Sequence, residues 1–263
     1  MNTPHHQQAL GFVVRQLNTT GYVATPPVPR IIRGTYSFFY LKEGEVLTDV
    51  GTDSFLLRAN MFLLIPPDVQ YSVKWYDKAK AMMGAFEESF ITDPSCPLLR
   101  AQTPVVCNIE GQDTLLITAT MDKLLRDQAN PHVAQFTLNY LLNLLSEHFS
   151  ADEYNNEHIA MRFVDAVFNR TQPLKTITEY AAQFGITPGH LNKIVRTRTG
   201  RSASNWVVIS RISYAKNLLR DTSLSIIDIA ERVGIFDQSY FARFFKKHTG
   251  MSPLEYRYLL RSI

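Results

Sequence analysis

The last third of the chain repeats itself, and that repeat constrains the fold more than any other feature. Ile177-Thr178-Glu179-Tyr180-Ala181-Ala182-Gln183-Phe184-Gly185-Ile186 lies in register with Ile226-Ile227-Asp228-Ile229-Ala230-Glu231-Arg232-Val233-Gly234-Ile235 at an offset of 49. Past the glycines the offset becomes 50: His190-Leu191-Asn192-Lys193-Ile194-Val195-Arg196 lies over Tyr240-Phe241-Ala242-Arg243-Phe244-Phe245-Lys246, Gly200 over Gly250, Ser202 over Ser252 and Trp206 over Tyr256. The second copy therefore carries one extra residue in its turn. Two segments that share apolar spacing and turn glycines are two copies of one supersecondary unit.

Each copy has the parts of a helix-turn-helix. A short amphipathic helix places a small residue, Ala181 or Ala230, where the next helix must cross closely. A glycine, Gly185 or Gly234, permits a turn at positive φ, and a second helix alternates apolar with polar and basic residues. In the second helix of unit two, Phe241, Phe244 and Phe245 are expected in the core, which turns Gln238, Ser239, Ala242, Arg243 and Lys246 outward. Unit one presents Gly189, His190, Asn192, Lys193 and Arg196 on the corresponding face. Arg and Lys donate to guanine and to phosphate, and Asn and Gln pair with adenine, so both faces have the chemistry of double-stranded DNA readers.

The stretch Asp228-Ile229-Ala230-Glu231-Arg232-Val233-Gly234-Ile235, then Gln238 to Lys247, then Gly250-Met251-Ser252-Pro253-Leu254-Glu255-Tyr256-Arg257, resembles the signature of AraC/XylS-family bacterial transcription regulators. The likeness extends through unit one and the joining helix Arg211-Ile212-Ser213-Tyr214-Ala215-Lys216-Asn217-Leu218-Leu219, about 100 residues in all. It implies two recognition helices in successive major-groove segments, roughly 34 Å apart. It also implies Gly189, Asn192 and Lys193 of the first helix and Gln238, Ser239 and Arg243 of the second at base edges, with Arg196, Lys246 and Lys247 on phosphate. The departures fall in unit one, where Gly189 offers no side chain and Thr197-Arg198-Thr199 replaces a Lys-rich run.

The rest of the chain differs in composition and charge. The whole of its 263 residues carries a net charge of +3. Residues 1–156 contain 11 Lys+Arg against 16 Asp+Glu, and residues 157–263 contain 16 against 8. An acidic part is thus joined to a basic one. From about residue 30 to 90 the pattern is β: short aromatic and branched runs (Ile31-Ile32, Tyr36 to Leu41, Glu45 to Leu47, Phe55 to Leu57, Met61 to Ile65, Tyr71 to Trp75) separated by Lys42-Glu43-Gly44, Asp49 to Ser54 and Pro66-Pro67-Asp68. Many short strands at close spacing suggest a barrel or jelly roll. Tyr36, Phe38 and Tyr40 share one strand face, and Ser37, Phe39 and Leu41 the other, so both faces are expected to be covered. After Pro104 the apolar spacing becomes helical over Thr114 to Arg126 and Val133 to Phe149, a hairpin broken at Ala129-Asn130-Pro131. Leu138, Leu141, Leu142 and Leu145 spread over more than one helix face. The hairpin is expected either to pack on the barrel and a second subunit at once or to be buried in its own domain.

The expected class is therefore α+β in two domains. Residues 1–149 form a cupin-like barrel or jelly roll with a helical hairpin at 113–149, and 150–156 are a polar linker. Residues 157–263 form an all-α domain with unit one at about 174–206, a joining helix at about 207–220 and unit two at about 224–257. The cupin-like resemblance rests on Leu41 to Glu45 and Leu64 to Val69, and it implies an effector-sensing or dimerising domain. Arg33, Tyr36, Phe38 and Tyr40 are the candidate effector-binding residues, with plain core and a ligand-free scaffold as the alternatives. A homodimer through the hairpin, and RNA polymerase as a partner if the chain is an activator, complete the expected partners.

Chemistry is expected to be absent. Residues 7 to 131 contain no histidine, so the His-rich metal site of cupin enzymes is missing, and His5-His6, His148 and His158 do not make one. Cys96 and Cys107 match neither a zinc spacing nor a redox pair, which sets aside a cysteine-based DNA-repair relative and reads as two reduced thiols. No nucleophile elbow, phosphate loop or carboxylate pair is present, so no catalytic residue, metal or cofactor is expected, the alternative being a metal-independent cupin enzyme with an appended DNA module. With no signal segment and no apolar run long enough to cross a bilayer, the expected location is the cytoplasm.

Overall fold

The computed structural model describes residues 11–19, 33–149, 159–169 and 175–261. They fall into two compact units, one ending at Phe149 and one beginning at Ile159. Ile31-Ile32, His5, His6, His158 and the polar stretch 150–156 lie outside the described residues.

The first unit is a six-stranded antiparallel sheet: β1 (Phe12–Asn18), β2 (Thr35–Val50), β3 (Asp53–Arg58), β4 (Met61–Ile65), β5 (Tyr71–Glu87) and β6 (Val105–Asn108). The pairing runs β1-β5-β2-β4-β6, with β3 on β2. Two expectations are corrected by this topology. Lys42-Glu43-Gly44 does not separate two strands; β2 continues through it, with register shifts against β5 between Leu41 and Glu45. Gly44 makes this possible, because at φ +81° it lies so close to β5 that a Cβ would meet the Asp77 carbonyl oxygen at 2.3 Å. Secondly, β1 and β6 lie outside the segment read as β. Their alternation is short, and they are edge strands whose pairing is decided by β5 and β4.

Alternation along the strands sends apolar side chains to both faces, as expected of Tyr36 to Leu41. One face packs Phe38, Tyr40, Phe62, Leu64, Met82 and Phe86 against two helices, α2 (Asp113–Asp127) and α3 (Pro131–Ser146), which follow the single helical turn α1 (Pro97–Arg100). The other gathers Phe39, Leu41, Leu63 and Ile65 with Val46, Phe55, Leu57 and Tyr71, so residues from both ends of the long strands share one cluster. The break between the two helices has a local cause. The Asn130 side chain accepts from the Val133 N–H as N-cap, and Pro131 opens α3.

Leu138, Leu141, Leu142 and Leu145 all point into this unit's own core. The surplus apolar surface of the hairpin is elsewhere: Leu115 (80% exposed), Phe136 (75%), Leu116 and Tyr140. Asn139, buried in α3, ties the hairpin to the chain leaving β5 by accepting from the Thr92 N–H and donating to the Phe90 carbonyl.

The second unit is all helix: α4 (Ile159–Phe168), α5 (Ile177–Gln183), α6 (Pro188–Thr199), α7 (Ala203–Leu218), α8 (Ile226–Arg232), α9 (Gln238–Thr249) and α10 (Pro253–Arg261). No helix among the described residues is long and apolar enough to cross a membrane. α7 is one helix where the sequence repeat suggested the end of one unit and a separate joining helix. Trp206, near its start, is buried in the core of the first helix-turn-helix repeat, stacking edge-on against Phe168 and donating its indole N–H to Thr199 Oγ1. Ile212, Ala215 and, just past its end, Leu219 enter the second core with Ile229, Ala230, Val233, Phe241 and Phe245.

Gly84 is a second close approach in the sheet. A Cβ there would stand 2.4 Å from Phe38 Cζ and 2.5 Å from the Val13 carbonyl oxygen. Gly84→Ala is therefore expected to destabilise the first unit by about 1–3 kcal/mol through overpacking. Scanning calorimetry checks this: the transition of the sheet unit should fall while that of the helical unit stays in place.

Candidate nucleic-acid interface

Local chemistry builds the two repeats alike. Thr176 and Ser225 begin α5 and α8 as capping boxes, each side chain accepting from the N–H of the third helical residue while Glu179 or Asp228 reaches back to the cap N–H. Gly185 at φ +66° and Gly234 at φ +73° turn the chain, and the Ile186 and Ile235 N–H groups bond back to the Ala181 and Ala230 carbonyls. Thr187 and Asp237 cap α6 and α9. Gly200 and Gly250 end them in the left-handed conformation. Thr199 and Thr249 then each bridge their own helix to the following turn, Thr199 through the carbonyls of Val195 and Arg201 and Thr249 through those of Phe245 and Met251.

This duplication projects a matching face from α6 and α9. Leu191 and Val195 are buried beneath α6 as Phe241 and Phe245 are beneath α9. Gly189, His190, Lys193 and Arg196 are exposed on α6, and Gln238, Ser239, Arg243, Lys246 and Lys247 on α9. At an offset of 50, Lys193 stands where Arg243 does, Arg196 where Lys246 does, and Thr197 where Lys247 does. The i, i+4, i+7 spacing puts each set on one helix stripe. Lys193, Arg196, Arg243, Lys246 and Lys247 are in no salt bridge among the described residues, although Lys246 is near enough to Glu255 to help lower its pKa.

Two expected placements change. Asn192 is half-buried, and its side-chain oxygen accepts from the Ala203 N–H at 3.0 Å, tying α6 to the first turn of α7. Its oxygen is thus committed to the fold, and Asn192 is not free for bidentate pairing with adenine. Phe244 is only half-buried, packed between Tyr240 and His248 on the flank of α9 rather than in the core with Phe241 and Phe245. Burial, and then the neighbouring Lys247, lower the pKa of His248. Gly189 is constrained by neither backbone nor packing, since its φ is not positive and a Cβ would enter open space.

Residues 180–258 match a family described as a helix-turn-helix domain. The arabinose operon regulatory protein of Escherichia coli is 36% identical over 107 residues, 41% of this chain and 33% of that protein. The same protein of Salmonella typhimurium is also 36% identical over 107 residues. The lactose operon transcription activator of Staphylococcus xylosus is 27% identical over 237 residues, 86% of this chain and 80% of that protein. These likenesses bear out the resemblance of the helical unit to AraC/XylS-family regulators. The chain spans about a third of the length of the first two of these relatives. Among solved structures, apo ToxT from Vibrio cholerae aligns over 97% of this chain and 100% of its own, at 15% identity and a TM-score of 0.39, a likeness too low to bear on the argument.

The sheet-unit candidates are dispersed. Phe38 and Tyr40 are closed to solvent beneath the hairpin, and the Tyr40 hydroxyl lies 2.6 Å from Thr118 Oγ1. Burial is the main cause of the raised Tyr40 pKa. Tyr36 is half-buried with its hydroxyl donating to the Leu99 carbonyl, and Arg33 is exposed in the turn before β2. Among the described residues no group of three or more His, Cys, Asp and Glu side chains is gathered as a metal site needs. Cys96 and Cys107 are buried free thiols.

The capping carboxylates generate a pH dependence. The Ser225 hydroxyl and then its N–H hold the Asp228 pKa low, and the Thr176 N–H and then its hydroxyl do so for Glu179. A depressed folded-state pKa contributes stability above the unfolded carboxylate pKa that is lost as pH falls through the folded value. The melting temperature of the helical unit should therefore drop on acidification through the carboxylate range, and Glu179→Gln should flatten that slope. Ser225→Ala should cost about 1 kcal/mol at neutral pH. Circular dichroism melts at several pH values read both effects.

Proposed function

We propose that the chain is a sequence-specific DNA-binding transcription regulator. Its second unit grips duplex DNA by setting α6 and α9 in two successive major-groove segments. The observation that carries this reading is the placement of exposed cations at equivalent positions of two repeated helices, Lys193 with Arg243 and Arg196 with Lys246. Arg243, Gln238 and Ser239 read bases from α9, while Lys246, Lys247 and Arg196 bind phosphate. On α6 the exposed readers are His190 and Lys193; Gly189 supplies only backbone, and Asn192 holds the helix in place. Base discrimination accordingly falls more heavily on the second unit.

The sheet unit is read as a cupin-like sensor for a small molecule, with no catalytic role. Of the residues named for an effector, Arg33 and Tyr36 are the two that keep contact with solvent; Phe38 and Tyr40 act as the floor on which α2 and α3 rest. A ligand entering beside Tyr36 would bear on the hairpin through that floor. The apolar surplus at Leu115, Phe136 and Tyr140 favours a homodimer through the hairpin. Regulation by contact with RNA polymerase belongs to the same reading if the protein activates, and the cytoplasm is where such a protein would work.

Three measurements test it. Arg243→Ala should lower the preference for a selected operator over random DNA by about 1–3 kcal/mol. Lys247→Ala should weaken both equally and reduce the slope of log K against log salt by about one. Anisotropy titrations at several salt concentrations separate the two, and an unchanged specificity ratio in Arg243→Ala would remove that residue from base reading. For the sheet unit, a saturable rise in melting temperature in a screen of sugars and organic acids supports a sensor, and a flat screen supports a scaffold. Phe136→Lys should shift sedimentation from dimer to monomer while leaving both melting transitions in place.

A further inference from the structure

The extra residue in the turn of the second unit is Phe236, set between buried Ile235 and Asp237, the N-cap of α9. At 84% it is the most exposed large apolar side chain among the described residues. Nothing in its own unit requires an aromatic there. The positive φ of the turn is taken by Gly234, the core is closed by Ile235, and the first turn of α9 is capped by the Asp237 carboxylate accepting from the Tyr240 N–H. The first unit closes the same turn without any such residue, passing directly from Ile186 to the cap Thr187.

We propose that Phe236 is a specificity-determining residue whose ring packs against the 5-methyl group of a thymine in the major-groove segment that α9 enters. The inference rests on the DNA-reading role of α9 proposed above and adds a residue and a base to it. Phe236 stands one residue before the N-cap of α9 and two before the exposed Gln238, and base edges are met by the N-terminal residues of a recognition helix. The partner is a base rather than a phosphate because the neighbouring Asp237 is an exposed carboxylate, which repels phosphate at this turn. The thymine methyl is the one apolar group that the major-groove edge of a base pair offers, so it is the natural contact for a ring that can neither donate nor accept. Only the half-site read by unit two acquires this requirement, which makes the two half-sites unequal.

The experiment uses the full-length protein and an operator obtained by in-vitro selection. Each thymine of the half-site read by α9 is replaced in turn by deoxyuridine, which lacks only the methyl. The wild type should lose roughly fourfold in affinity at one such position, the equivalent of burying one methyl. Phe236→Ala should bind the unmodified operator more weakly and be indifferent to deoxyuridine at that position, whereas Phe236→Leu should retain part of the sensitivity. If Phe236→Ala binds every duplex as the wild type does, or loses the same factor on all of them including random DNA, the thymine contact is refuted. Arg243→Ala in the same titrations keeps the two readings apart. Loss of specificity there with an unaffected Phe236→Ala overturns this inference alone, and absence of any operator preference in the wild type overturns both. Phe236 is exposed, so unchanged melting of the variants excludes misfolding as the cause.

Discussion

The helical unit depends on one continuous helix. α7 carries Trp206 in the core beneath α6 and Ile212 and Ala215 in the core beneath α9. Sixteen residues at 1.5 Å rise make it roughly 24 Å long. Because both cores are built on the same rigid rod, the spacing and orientation of the two reading helices are not left to a flexible connection. Ser210, midway along α7, donates to the Val167 carbonyl and binds α4 to the same rod. A two-site DNA grip needs this, since a duplex presents its major-groove segments at a fixed repeat.

Charge follows the same division of labour. The small overall charge of +3 is the sum of an acidic sheet part and a basic helical part. Three acidic residues of the helical unit stand at helix starts: Glu179, Asp228 and Glu255 each bond the cap residue of α5, α8 or α10. Lys193, Arg196, Arg243, Lys246 and Lys247 on α6 and α9 are exposed. Carboxylates at helix N-termini are stabilising where they stand, so the unit gains local stability without neutralising the stripe that faces outward. In the sheet part the ion pairs are internal instead: Lys42 reaches Asp122 of α2 at 2.6 Å, and Lys74 meets Asp49 at 2.8 Å.

Much of this could be read from residue order, and the failures have physical causes. The repeat was legible because helix caps, turn glycines and apolar spacing are local devices, each repeated within a few residues of its position in the other copy. The hairpin break at Asn130-Pro131 was legible for the same reason. The continuity of β2 through Lys42-Glu43-Gly44 was not, because a polar triplet with a glycine reads as a turn unless the neighbouring strand is known. Here the close backbone of Asp77 makes it a bend in one strand. Edge strands β1 and β6 were missed since their pairing is with residues far along the chain. The bond that the Asn192 oxygen accepts from the Ala203 N–H was not legible, because nothing in a helical pattern shows which neighbouring segment an amide meets.

What the sequence by itself determined is the kind of molecule: a duplicated helix-turn-helix resembling that of AraC/XylS-family regulators, with cations at matched positions, attached to an acidic β-rich part. Those properties depend on periodicity, composition and short-range capping, all of which are carried within one or two helical turns. What only the tertiary structure decided is which side chains are free to act. It committed the Asn192 oxygen to Ala203, sealed Phe38 and Tyr40 beneath α2 and α3, and left Phe236 and Phe136 in water. Exposure and hydrogen-bond commitment depend on what the rest of the chain brings into contact, and no local pattern records that.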